Sequence, residues 1–249
     1  MESSPGPRAD VELDSVVTHV GEVVEPTEEH MVTESAPVRP DTSDMPAVHM
    51  VFRSSLASGP EFIGSAAGHD ERRSLIANYY SNVMAFLEVH HDGEEKIVFP
   101  LLIERAPEHR AIVEQAARQH TEVVGLMQAV RESLRSWEAN GDSGEAEMAR
   151  SLGALNDALI PHLDEEEAQI LPLAGEYLTV EEWATLPGHS MANFQGDKIW
   201  LILGLIRENF TAEQRDMMLN GMPPPARQMW ETMGETSFDE LIAQVRQTS

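Results

Sequence analysis

Residues 90–101 read HHDGEEKIVFPL and residues 162–173 read HLDEEEAQILPL. In each stretch a His and a Glu stand four residues apart, at His90/Glu94 and His162/Glu166. An Asp lies two residues after the His (Asp92, Asp164), and a Pro-containing apolar triplet begins five after the Glu, at Phe99-Pro100-Leu101 and Leu171-Pro172-Leu173. A lone His49 precedes the first stretch by 41 residues, and a lone His120 precedes the second by 42. This is an internal repeat, and each copy reads as a helical hairpin.

Working outward, helical periodicity begins at Asp44, which can cap a helix whose stripe runs Met45, His49, Phe52, Leu56. Gly59-Pro60 bends or ends it, and residues 64–68 turn the chain. A second helix from about Asp70 carries Leu87, His90, Glu94, Ile97 and Leu101. A third, after Pro107, carries Val113, Ala116, His120, Val123, Met127 and Leu134. A loop at 140–144 leads to a fourth with Leu152, Leu155, Leu159, His162, Glu166, Ile170 and Leu173, which Pro161 should kink beside His162. Short connections and four amphipathic faces predict an all-α, up-down-up-down four-helix bundle over residues 44–175. Residues 1–43, acidic and proline-containing with no sustained apolar period, read as a disordered tail. Residues 176–249 read as a helical extension. It has capping boxes at Thr179/Glu182 and Thr211/Gln214, an apolar face over 199–206 and a helix boundary at Pro223-Pro224-Pro225.

The spacing has a chemical reason. Residues at i and i+4 lie one turn apart on the same side of a helix, so a His and a Glu so placed can hold one metal, or adjacent metals with the carboxylate bridging. Inward-facing motifs of this kind on paired helices build di-metal carboxylate bundles. Imidazole and carboxylate without thiolate suit iron or manganese, with zinc as competitor. A single HisxxxGlu is more often plain helix surface, and acidic runs such as 165–167 are usually solvated. Here all six residues fall on apolar stripes, where unpartnered carboxylates cost several kcal/mol each.

The pattern resembles the hemerythrin-like (HHE cation-binding) family over about residues 45–175. It does so through His49, His90-His91-x-x-Glu94 with Phe99-Pro100, His120, and His162-x-x-x-Glu166 with Leu171-Pro172. The resemblance implies a four-helix bundle around an oxygen-bridged pair of non-haem iron ions. His49, His90, His120 and His162 would be terminal ligands, with Glu94 and Glu166 as bridging carboxylates. Oxygen-carrying members have a HisxxxHis pair on the third helix; here Val124 and Ala116 occupy the positions four after and four before His120. The expected set is therefore four His and two Glu, two imidazoles per ion, with open positions on both. Iron–sulfur repair relatives carry a Cys-containing segment, and this chain has no cysteine.

Composition narrows the partners. A net charge of −26 argues against nucleic acid and against anionic membrane surfaces. Without cysteine there is no disulfide, thiolate site or thiol nucleophile. No signal peptide is evident, and the apolar run at 199–206 is far short of the roughly 20 residues that span a bilayer; the expectation is a soluble cytoplasmic protein. Lys96 and Lys198 are the lysines among 17 Lys and Arg residues, a usage that points to a GC-rich bacterial genome. His91, about 100° from His90, is expected at the surface or behind the ligands, and Glu95, Glu167, Asp92 and Asp164 are read as exposed or as hydrogen-bonding the far nitrogen of a ligand. His69, His109 and His189 read as surface residues, and Trp183, Trp200 and Trp230 as packing. The leading functional expectation is a di-iron protein reacting with O2, hydrogen peroxide or nitric oxide, catalase- or peroxidase-like in its sharpest form. No catalytic residue is expected beyond the metal centre. A sensor or storage module with the C-terminal helices as readout is the alternative, and a metal-free structural bundle a third. The apolar C-terminal helix makes a homodimer reasonable.

Overall fold

The computed structural model describes residues 38–247. The acidic tail expected over residues 1–43 therefore lies almost wholly outside the described residues, and only 38–43 lead visibly into the first helix. Every regular element among the described residues is helical and none is a strand. In chain order these are α1 (Met45–Ala57), α2 (Gly59–Gly64), α3 (Asp70–Gly93), α4 (Phe99–Arg105), α5 (Arg110–Asn140), α6 (Glu145–Glu165) and α7 (Leu171–Tyr177). The rest are α8 (Val180–Trp183), α9 (Thr185–Asn193), α10 (Ile199–Asn209), α11 (Ala212–Gly221), α12 (Pro224–Met229) and α13 (Glu235–Arg246). The fold is an all-α helical bundle.

Two wide turns interrupt the ligand-bearing helices. Glu94–Val98 joins α3 to α4 and Glu166–Ile170 joins α6 to α7, each with a π-helical hydrogen bond that spans five residues, Phe99 N–H to Glu94 O and Leu171 N–H to Glu166 O. The cause lies one residue further on. Pro100 and Pro172 cannot donate, and in α geometry their rings would meet the carbonyls of Lys96 and Ala168. Widening the turn relieves that clash. The extra residue also shifts the register: Val98 and Leu102 are buried where the unbroken period had placed Ile97 and Leu101, which are half-buried. Pro161, by contrast, sits inside a helix that stays α to Glu165.

The apolar core falls into two clusters divided by a polar layer. One holds Phe52, Phe86, Leu87, Met127, Leu155 and Leu159; the other holds Met45, Val98, Phe99, Ala116, Ile170 and Leu171. Along each of the four ligand helices, the His and Glu positions lie between the two. Burial of a large apolar side chain is worth about 1.5–3 kcal/mol, so each side of the polar layer is held independently.

The extension is part of this core. Leu201, Ile202, Leu203 and Leu205 of α10 and Phe238, Ile242 and Val245 of α13 join the first cluster. The apolar run at 199–206, expected to pack on the bundle or on a second copy of the chain, is thus largely buried within the chain. Both capping boxes form as expected, at Thr179/Glu182 and Thr211/Gln214. Asp44 differs: its carboxylate does not cap α1 but accepts a hydrogen bond from Trp183 Nε1 at 3.2 Å. Trp183 is therefore more than packing, because it ties α8 to the start of the bundle.

Candidate metal centre

All six residues singled out by the repeat meet in the polar layer. His49, His90, Glu94 and Glu166 form one group of donors whose atoms lie within 4.8 Å of one another, and His91, His120 and His162 form a second. The two carboxylates link imidazoles. Glu94 lies with Oε1 at 3.2 Å from His90 Nε2 and Oε2 at 3.5 Å from His120 Nε2. Glu166 Oε2 lies 3.5 Å from His49 Nε2 and 3.7 Å from His162 Nε2.

His91, expected at the surface or behind the ligands, is not at the surface. It is 3% exposed, and its ring stacks on His120 with centroids 3.9 Å apart and planes 11° from parallel. The 100° offset from His90 did not carry it outward because α3 is covered on nearly every side, by the bundle and by α9 and α10. No signal in the local spacing distinguishes that case.

The inner donors have nothing to bond. Nε2 of His49, His90, His120 and His162, both ring nitrogens of His91, and both oxygens of Glu94 and Glu166 are buried without a hydrogen-bond partner. Such a concentration of orphaned polar atoms is costly unless a cation satisfies them. Burial and neighbouring imidazoles hold His90 and His91 well below the ordinary imidazole range, His120 at about 3 and His162 at about 4. The rings are therefore neutral, with lone pairs available. Burial raises Glu94 and Glu166 above the ordinary carboxylate value, the shift that a divalent ion bound by them would oppose. Donor type, burial and vacant lone pairs all fit metal cations.

Three of the outward nitrogens are satisfied, two of them across the repeat. Glu167, next to Glu166 of the second half, accepts from His49 Nδ1 of the first at 2.9 Å; Glu95, next to Glu94, accepts from His120 Nδ1 of the second at 3.1 Å. His162 Nδ1 donates to Gln119 Oε1 at 3.2 Å. These bonds fix the tautomer that aims Nε2 inward. The two glutamates differ in their own surroundings. Arg53 donates to Glu167 at 3.0 Å and pairs with Asp164 at 2.8 Å, whereas Lys96 beside Glu95 is engaged by Asp92. The His49 hydrogen bond and Arg53 hold Glu167 below the usual carboxylate range, while burial raises Glu95. His189, read as a surface residue, is half-buried and donates from Nε2 to Asp92 at 2.8 Å.

The family model for the hemerythrin HHE cation binding domain matches residues 44–174. That span is more than half of the chain and holds every donor described above. The chain belongs to the hemerythrin HHE family. Among curated proteins, the zinc finger protein BRUTUS of Arabidopsis thaliana is 24% identical over 153 residues, covering 61% of this chain and 12% of that protein. The chain thus spans a small part of the relative's length. No solved structure matches it. The hemerythrin match agrees with a cation-binding polar layer, and no helix among the described residues is long and apolar enough to cross a membrane.

Proposed function

We propose that this hemerythrin-family chain is a non-haem di-iron protein that binds, and reacts with, O2, hydrogen peroxide or nitric oxide. The observation that carries the reading is the buried layer of donor atoms with no partners. Its composition, imidazole and carboxylate without thiolate, favours iron, with manganese and zinc as competitors. In this reading His49 and His90 hold one ion; His91, His120 and His162 hold the other; Glu94 and Glu166 span both. The domain is residues 44–175, residues 176–249 are its extension, and the protein works in the cytoplasm away from nucleic acid and membranes.

Bound iron would supply one-electron chemistry between Fe(II) and Fe(III). The protein's own contribution is orientation and exclusion of water. Glu95, Glu167 and Gln119 fix three imidazoles, and Phe52, Phe86 and Phe99 lie within 6.4 Å of the His90 or His120 ring centroids. With His91 beside His120 and His162, three imidazoles would be available to one ion and two, His49 and His90, to the other; the expected set has two imidazoles per ion, and His91 would be the addition to it.

Anaerobic reconstitution with ferrous iron followed by peroxide tests the reading. Turnover well above that of the same amount of free iron is expected, and turnover equal to free iron overturns the reactive half of it. A sensor or store is the second reading, favoured by the seating of α9 against α3 at Gly93, between His91 and Glu94. Hydrogen exchange in residues 180–193 that changes on iron binding, without peroxide turnover, would select it.

A further inference from the structure

The repeat allows the two sides of the centre to be compared position by position. Laying His49 on His120 and Glu94 on Glu166 pairs Asp44 with Gln115, Val48 with Gln119, Gly93 with Glu165 and Ile97 with Gln169. In the first half these positions are covered. Trp183 Nε1 bonds Asp44. Gly93 lies under α9 so closely that a Cβ there would meet Leu186 Cδ2 at 3.3 Å and His189 Cδ2 at 3.4 Å. Ile97 packs on the cluster containing Trp183 and Leu186, and Val48 packs on both clusters. His189 Nε2 donates to Asp92 of α3 at 2.8 Å, and its Nδ1 accepts from Asn193 Nδ2 of the same helix at 3.3 Å, so one polar bond also holds α9 to α3.

In the second half the four partners do the opposite. Gln115, Gln119, Glu165 and Gln169 line a cleft between α5 and the Glu166–Ile170 turn, and Glu166 itself forms part of its wall. The cleft has a volume of ≈ 10 Å³, about the space of one water. Gln115 Nε2 and Gln119 Nε2 both donate to Glu165 Oε2, at 2.7 and 2.9 Å. These side chains reach solvent, and partly exposed side chains change rotamer in picoseconds to nanoseconds without moving a helix. Opening the first half instead requires lifting Trp183 and Leu186 out of an apolar cluster.

We propose that α8 and α9 are a seal that makes the centre single-ended, and that the Gln115/Gln119/Glu165/Gln169 cleft is its entrance. The entrance suits ferrous ions, water and small neutral molecules such as O2, nitric oxide and peroxide. A carboxylate at the mouth of a chain of net charge −26 attracts cations and disfavours anions. The inference rests on the metal reading above.

The test is the rate at which the metal-free full chain takes up ferrous iron under anaerobic conditions, followed with the final iron content. Gln115→Trp/Gln169→Trp places bulk on the exposed rim and touches no donor. It is expected to slow uptake on the order of tenfold, equivalent to about 1.4 kcal/mol of barrier, and to leave the final content at the wild-type value. Leu186→Ala/His189→Ala is expected to speed uptake and, combined with the rim variant, to restore it. Uptake by the rim variant at the wild-type rate overturns the entrance, and this surface variant decides the matter even where the Leu186/His189 variant fails to fold. A rim variant that stays slow in the combined, folded protein overturns the seal. A wild-type chain that takes up no iron overturns the metal reading instead.

Discussion

In the first half of the repeat His90 is followed by His91 and Gly93; in the second half His162 is followed by Leu163 and Glu165. The donors His and Glu recur at the same spacing, so each half brings a His and a Glu into the shared polar layer. The two intervening positions make the halves unlike. Where the second half has Leu163 in the apolar core, the first has a third imidazole for the shared layer. Where the second half has a carboxylate at an open cleft, the first has a glycine that lets α9 settle on the helix. A repeated His/Glu frame is thus set among unlike neighbours, and the asymmetry resides in residues beside the motif.

Making the halves alike should have the largest effect. His91→Leu installs the residue of the second half and removes the third imidazole. Removing even an outer partner of a ligand costs about 10–100-fold in metal affinity. The ion on the His120/His162 side is therefore expected to weaken by more than about 100-fold, measured by competition with a chelator. Loss of both ions equally would mean that the two groups of donors are not separate sites.

The outer glutamates come next. Glu95→Gln and Glu167→Gln should each weaken one ion by about 10–100-fold, and different ones: the His120 side for Glu95, the His49 side for Glu167. Equal effects on both ions would break the comparison.

Acidity sharpens it further. His120 and His162 titrate at about 3 and about 4 in the fold, against about 6.5 in the unfolded chain. Between those values the unfolded chain binds protons that the fold does not. Their contribution to stability is therefore present above about 6.5 and is lost as pH falls. Glu94 and Glu166, raised in the metal-free fold, act with the opposite sign, destabilising it as pH rises above about 4.5. Bound metal removes that second effect by keeping both carboxylates ionised and paired. The difference in Tm between iron-loaded and metal-free protein should be widest near neutral pH and shrink toward pH ~4. A difference independent of pH would mean that the iron is not held by these groups.

Arg53→Met is the smallest test. Its ion pair with the partly exposed Glu167 is worth less than about 1 kcal/mol, so iron affinity on the His49 side should change only a few-fold, toward that of the other side. No change at all would leave the Arg53–Glu167 contact without influence on the centre.

Much of this was legible in the sequence and part was not, for physical reasons. His49, His90, Glu94, His120, His162 and Glu166 were visible because a duplicated spacing on apolar stripes is hard to produce without a shared purpose. The wide turns are half visible: the five-residue offset from Glu94 to Phe99 and from Glu166 to Leu171 is plain in the sequence, but spacing alone does not distinguish a π turn from an unbroken α-helix. Val98 and Leu102 were missed for that reason. The burial of His91 is not legible because a helical wheel assumes one buried face, while α3 is buried nearly all round. The pairing of Trp183 with Asp44 and of His189 with Asp92 joins residues 139 and 97 positions apart. Such contacts leave no trace in local periodicity.

The measurement that tests the central claim most directly is the metal content of the purified protein beside Glu94→Ala/Glu166→Ala. Two irons per chain in the wild type and none in the variant is the result the account predicts. Freshly prepared wild type without metal that stays empty after anaerobic incubation with ferrous iron would contradict it.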